Sequence, residues 1–82
     1  MYFVYVLYSI KFNKIYIGYT SNLPERIKSH NELGKGWTMR FRPWVLAYKE
    51  EFNTKIEAMT REKSLKSASG RTFIWDEIIS KL

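Results

Sequence analysis

Arg26 and His30 stand one helical turn apart in the segment LPERIKSH, on the arc that should face the core. At about 100° per residue, Ile27, His30, Arg26 and Leu33 gather around Leu23, while Glu25, Lys28, Asn31 and Glu32 cover the other side. A guanidinium and an imidazole on an inward stripe must be satisfied by buried partners or line a cleft. The plain alternative is a hydrogen-bonded, half-buried histidine beside an arginine whose head reaches solvent. Glu62 poses the same choice. Its neighbours at i−4, i−3 and i+3 are Ala58, Met59 and Leu65, which predicts an inward carboxylate; the alternative is a surface pair with Lys66 at i+4. Phosphodiester hydrolysis asks for these residue types. It needs cationic groups for the charge that builds on the non-bridging oxygens, a group to activate water, and help for the leaving oxygen.

These side chains need elements to hold them. Tyr2 to Ser9 is apolar or aromatic at both parities, with Tyr2, Val4, Val6 and Tyr8 on one face and Phe3, Tyr5 and Leu7 on the other, which predicts a central strand covered twice. Residues 10–14 have the length of a hairpin loop, and Ile15 to Tyr19 is β-branched and aromatic, predicting a second, antiparallel strand. Tyr5 and Tyr16 should then lie close across the ladder, with hydroxyls that need partners if buried. Asn22 and Glu25 have capping-box spacing for the helix that carries Arg26 and His30, and Gly34 should end it.

Trp44 to Phe52 reads as a third strand, and Thr54 with Glu57 caps a second helix carrying Glu62. Glu50, Glu51, Glu57, Asp76 and Glu77 show no placement comparable to that of Glu62. Gly70 is expected to close this helix. Arg71 to Leu82 should form a packing helix with Ile74, Trp75, Ile78, Ile79 and Leu82 on its apolar stripe. The expected fold is α+β: a small three-stranded antiparallel sheet flanked by helices in the order ββαβαα, one domain over residues 1–82.

Fourteen Lys and Arg against eight Asp and Glu give a net charge of +6, which favours an anionic partner such as nucleic acid. The loop from Lys35 to Pro43 holds three of these cations, Lys35, Arg40 and Arg42, with Trp37 and Phe41 between them and Trp44 just beyond. Cations for phosphates and rings for bases suit a nucleic-acid contact surface; alternatively the rings fold inward beneath the loop. Cysteine is absent, so a disulfide framework and a cysteine-rich zinc site are excluded. The apolar N-terminus lacks a basic leader and a cleavage site and is far short of a membrane span, so the cytoplasm is the expected compartment and no membrane partner is expected.

Taken in order, Phe3-Val4-Tyr5, Tyr16-Ile17-Gly18, Arg26, His30 and Glu62 resemble the GIY-YIG endonuclease family over essentially the whole chain. The similarity extends to small single-domain bacterial members and to the domain that begins the excision-repair subunit making the incision 3′ to damage. The second motif is intact, whereas Phe3 and Val4 replace glycine and isoleucine in the first. The resemblance implies hydrolysis of DNA phosphodiesters with one divalent metal, Mg²⁺ or Mn²⁺, at low intrinsic sequence specificity, in repair or recombination, with targeting supplied by a protein partner. It makes Glu62 the metal ligand, places Arg26 at the scissile phosphate, and assigns Tyr5 and Tyr16 to positioning or deprotonating the attacking water. His30 matches a position held by His or Tyr, and base duty stays open between it and Tyr5. Tyr19 stands where the family often has Lys or Arg, and no Asn follows Asn53. The alternative function is therefore a nucleic-acid-binding module of the same fold without catalysis.

Overall fold

Both faces of the first strand are apolar, and the fold follows from covering each of them. The computed structural model describes residues 1–33 and 36–82. The helix stop expected at Gly34 and the Lys35 cation therefore lie outside the described residues. Strand β1 (Tyr2–Ser9) lies between β2 (Lys14–Thr20) and β3 (Val45–Phe52), antiparallel to both. In the β1–β2 register Tyr5 faces Gly18 and Leu7 faces Tyr16, so Tyr5 and Tyr16 are diagonal neighbours. At the hairpin, Asn13 adopts φ 54°, a left-handed conformation this residue type tolerates, and its side-chain oxygen accepts from the Tyr8 hydroxyl at 2.8 Å.

On one face of the sheet Val4, Val6, Ile15 and Ile17 pack against Ala58, Leu65, Ile74 and Ile78. The helices supplying them are α2 (Lys55–Leu65), α3 (Ala68–Phe73) and a π-helical turn, Ile74–Ile78. On the other face Tyr5 and Leu7 are buried with Leu23 and Trp44, joined by Phe3, Tyr16, Ile27 and Phe41. This second cover consists of α1 (Leu23–Lys28), a π-helical turn over Ser29–Leu33 and a 3-10 turn over Thr38–Phe41. The α+β class, the sheet and the central position of β1 are those expected from the sequence.

The helix boundaries differ from expectation in instructive ways. Gly70 does not close α2, which ends at Leu65. Ser67 caps a new helix instead, its hydroxyl accepting from the Gly70 N–H at 3.2 Å. A Cβ at Gly70 would lie 2.3 Å from the Ser64 carbonyl oxygen and 2.5 Å from Leu65 Cα, so the glycine allows α3 to fold back onto the end of α2. The expected packing helix is accordingly broken into α3, a π turn and a 3-10 turn over Ile79–Lys81, and Leu82 at its end is exposed. Trp44 precedes β3 rather than opening it. Its indole donates to the Thr38 carbonyl at 2.8 Å, and its backbone N–H and C=O are both bonded by the Asn31 amide, which pins the loop to the helical layer.

Two other positions depart from the pattern read in the sequence, one in a helix and one in a strand. Leu33 is 64% exposed because the α1 spiral widens into the π turn after Lys28 and leaves the inward arc. Glu50 is half-buried and accepts from Arg61 at 3.0–3.2 Å and from the Tyr48 hydroxyl, a tie between β3 and α2 that strand alternation alone did not reveal. Burial opposes the Glu50 charge, but the hydrogen bonds from Arg61 and Tyr48 outweigh it and hold the carboxyl below its usual range.

Candidate active site

Strand β2 is an edge strand, so side chains from both faces of the sheet can meet around it. They do so at its C-terminal end. An open cavity of about 470 Å³ is lined by Tyr5 and Tyr16 from the sheet, Arg26 from α1 and Glu62 from α2, with Gly18 to Ser21 beside them. Four of the five residues singled out for chemistry thus share one concavity, although they come from four different elements.

The capping geometry explains how the two helices aim at it. Asn22 accepts from the Glu25 N–H at 3.3 Å and Pro24 occupies the first turn, which sets α1 going directly after β2 with Arg26 one turn inside. Thr54 and Glu57 form the complete reciprocal capping box at the start of α2. A cap of this kind is worth about 1 kcal/mol. Ala58 and Leu65 bury the inner stripe of α2, leaving Glu62 at its margin with 19% of its side chain exposed. Ile56, apolar in sequence, points to solvent with 76% exposure.

His30, the fifth residue, lies behind the cavity wall. It is buried, and its Nε2 is 3.0 Å from the Tyr5 hydroxyl, with the Tyr16 ring centroid 4.5 Å from its own. Burial, and then the positive charge of Arg26, push the imidazole pKa below its usual value. Tyr5 is shifted well above the usual phenol range: by burial first, then by Tyr16 and the Glu62 charge, with Arg26 opposing. The resting pair is therefore a neutral phenol against a neutral imidazole. Gly18 makes room for it. A Cβ there would sit 2.6 Å from the Tyr5 hydroxyl and 3.1 Å from the Tyr16 ring, which accounts for a glycine inside a strand.

Glu62 also forms the i, i+4 pair with Lys66, at 3.3 Å, so both arrangements weighed from sequence coexist: the carboxylate lines the cavity and carries a cationic partner. Among the described residues no three carboxylate, histidine or cysteine side chains cluster as a metal site. Glu62 alone fits a cation held mostly by water and substrate phosphate, as Mg²⁺ tends to be.

The loop side chains divide. Trp37 is 46% exposed, yet its ring lies 4.8 Å from Phe41, 5.8 Å from Trp44 and 6.5 Å from Tyr16, so the rings form a layer with one edge open to solvent. Arg40 is exposed. Arg42 is half-buried and donates from Nε to the His30 carbonyl at 2.8 Å, tying the loop to the π turn. A second cavity of about 250 Å³ shares Tyr16 with the first and is lined by Trp37, Lys66 and Arg71. The sequence presents Lys66 only as a surface partner of Glu62, Lys55 only as a cation on the same arc, and Arg71 only as the start of the last helix. The place of Lys55 at the cavity follows from that arc, since it precedes Glu62 by seven residues and so occupies the same helical stripe.

The family model of the GIY-YIG catalytic domain matches residues 1–74. The chain is 46% identical over 69 residues to the UPF0213 protein SH2523 of Staphylococcus haemolyticus, an alignment covering 82% of each. It is 47% identical over 62 residues to the UPF0213 protein YazA of Bacillus subtilis, covering 73% of this chain and 61% of that protein. Among solved structures, the solution NMR structure of a UPF0213 protein from Bacillus halodurans matches with a TM-score of 0.54 at 29% identity, covering 90% of this chain and 82% of the other.

Proposed function

The chain belongs to the GIY-YIG catalytic-domain family, and from that premise we propose that it is a metal-dependent endonuclease hydrolysing DNA phosphodiesters with little sequence preference of its own. The observation that carries the proposal is the shared cavity: phenol, guanidinium and carboxylate groups from both faces of the sheet converge on one open site. Arg26 grips the non-bridging oxygens of the scissile phosphate, where its fork can hold two at once and offset the charge that builds during attack. Glu62 would hold Mg²⁺ or Mn²⁺, and that ion when bound would supply Lewis-acid polarisation of the phosphate and stabilise the leaving oxygen.

Water is activated through the Tyr5–His30 pair. A phenol held above its usual pKa is a poor resting base, but it can take a proton from water while passing its own to the neutral His30 Nε2 3.0 Å away. The water oxygen then bonds to phosphorus, the proton ends on His30, and the phosphorus bond to the leaving oxygen breaks, that oxygen taking a proton from solvent as His30 later returns its own to solvent. Tyr16, against the His30 ring, positions the water. No helix among the described residues is long and apolar enough to cross a membrane. A cytoplasmic place, a repair or recombination role and a targeting protein partner belong to the proposal.

The test is incubation with supercoiled plasmid and Mg²⁺ or Mn²⁺. Nicking that EDTA abolishes supports the proposal. A gel shift without cleavage in either metal supports the second reading, a binding module without catalysis, which the Lys66 partner already on Glu62 favours.

A further inference from the structure

Lys55 is the first residue of α2 and lines the same cavity as Arg26 and Glu62. It forms no ion pair among the described residues. Seven residues separate it from Glu62, about two helical turns and 10 Å along the axis, and the two side chains share a stripe to within about 20°. Arg26 approaches the cavity from the opposite face of the sheet, so the two cations flank whatever enters between α1 and α2.

The fold gains nothing evident from this lysine. A cation in the first turn opposes the helix macrodipole, and the N-terminus of α2 is already served by Thr54 and Glu57. A residue that runs against a local rule without a compensating contact marks a site where function sets the choice. Tyr19 lines the cavity too, but contributes a ring and a hydroxyl rather than a cation.

We propose that Lys55 is a substrate-contacting residue that binds a phosphate of the nucleic-acid strand next to the scissile one, holding the strand across the cavity from Arg26. The inference rests on the nuclease reading of this site and names its second phosphate contact. Lysine suits that role because its compact point charge sits on a flexible stem and can follow a phosphate whose position varies with sequence, whereas Arg26 must hold one geometry.

The test measures binding of a fluorescein-labelled DNA duplex in EDTA at several salt concentrations, with wild type, Lys55→Ala and Lys55→Arg, followed by single-turnover cleavage in Mn²⁺. Loss of one phosphate contact should lower the log–log salt slope of Lys55→Ala by about 0.9. Affinity at low salt should fall several-fold, Lys55→Arg should restore both, and the melting temperature of Lys55→Ala should not fall. Cleavage by Lys55→Ala should drop at least tenfold. An unchanged slope would overturn the proposal whether or not the protein cleaves. A reduced slope with a wild type that cuts nothing would uphold Lys55 as a phosphate contact and sink the hydrolase reading instead.

Discussion

The Tyr5 hydroxyl lies 3.0 Å from His30 Nε2, a buried contact between the central strand and the π turn that follows α1. For Tyr5 to donate, the imidazole must be neutral with its proton on Nδ1. Burial and Arg26 both favour that state by lowering the His30 pKa.

A pH dependence follows, with its sign fixed. The folded pKa of His30 lies below the unfolded value of about 6.5, so the unfolded chain takes up the proton first as pH falls. The associated stability is complete above about 6.5 and is lost as pH falls towards the folded pKa. Cleavage should follow the same window, with an acidic limb below about pH 6.5 that disappears in His30→Gln. Tyr5→Phe should lose at least about 100-fold in rate while binding DNA like wild type. An acidic limb unchanged in His30→Gln would remove the relay.

Gly18→Ala should be damaging out of proportion to one methyl group. The added Cβ would meet the Tyr5 hydroxyl at 2.6 Å and the Tyr16 ring at 3.1 Å, and Tyr5 is buried with little room to give way. Overpacking of this kind costs about 1–3 kcal/mol, and the displaced hydroxyl should also lose His30. Thermal melts and single-turnover cleavage should both fall; cleavage retained at the wild-type rate would show that the exact position of Tyr5 is immaterial.

The two-sided pattern of Tyr2 to Ser9 reads as a central strand, and β1 does lie between β2 and β3 with both apolar rows covered. Helical periodicity put Arg26 and Glu62 on the cavity side of their helices, where Glu62 is half-buried and Arg26 stays exposed, its head reaching solvent. The periodicity misled at Leu33, where the turn widens, and the glycine stop signal misled at Gly70, where the glycine serves a close backbone approach instead. The Glu50–Arg61 tie and the Asn31–Trp44 bonds join segments distant in sequence, and no local pattern reports such contacts.

Arg40 and Arg42 should separate cleanly, although both are loop cations. Arg40 is exposed, so Arg40→Ala should reduce the salt slope of DNA binding by about 0.9 and leave the melting temperature alone. Arg42 donates to the His30 carbonyl, so Arg42→Ala should cost about 1–2 kcal/mol of stability and slow cleavage through a misplaced His30. Equal effects of the two substitutions on stability would contradict this division. Trp37→Ala should chiefly weaken binding to single-stranded or distorted DNA, by about 1–3 kcal/mol if a base stacks on its open edge. An unchanged affinity for both forms would mean that the ring only packs.

Glu62→Gln decides between the two roles that this carboxylate combines. It keeps the shape of the side chain and removes the charge, which both a divalent cation and Lys66 require. The surface component is small: an i, i+4 pair of this exposure is worth about 0.3–0.5 kcal/mol, so the metal-free melting temperature should barely move. The catalytic component is large, because without the carboxylate the ion that polarises the phosphate has no protein ligand; cleavage should fall by several orders of magnitude. DNA affinity in EDTA should be equal or higher, since a negative charge facing the phosphate is gone. Lys66→Met serves as the companion. It leaves Glu62 without its cationic partner and should tighten Mn²⁺ binding about twofold, read directly by titration without substrate. Cleavage retained in Glu62→Gln, with the same small stability change, would leave the carboxylate as half of a surface ion pair and take the metal site away from this cavity.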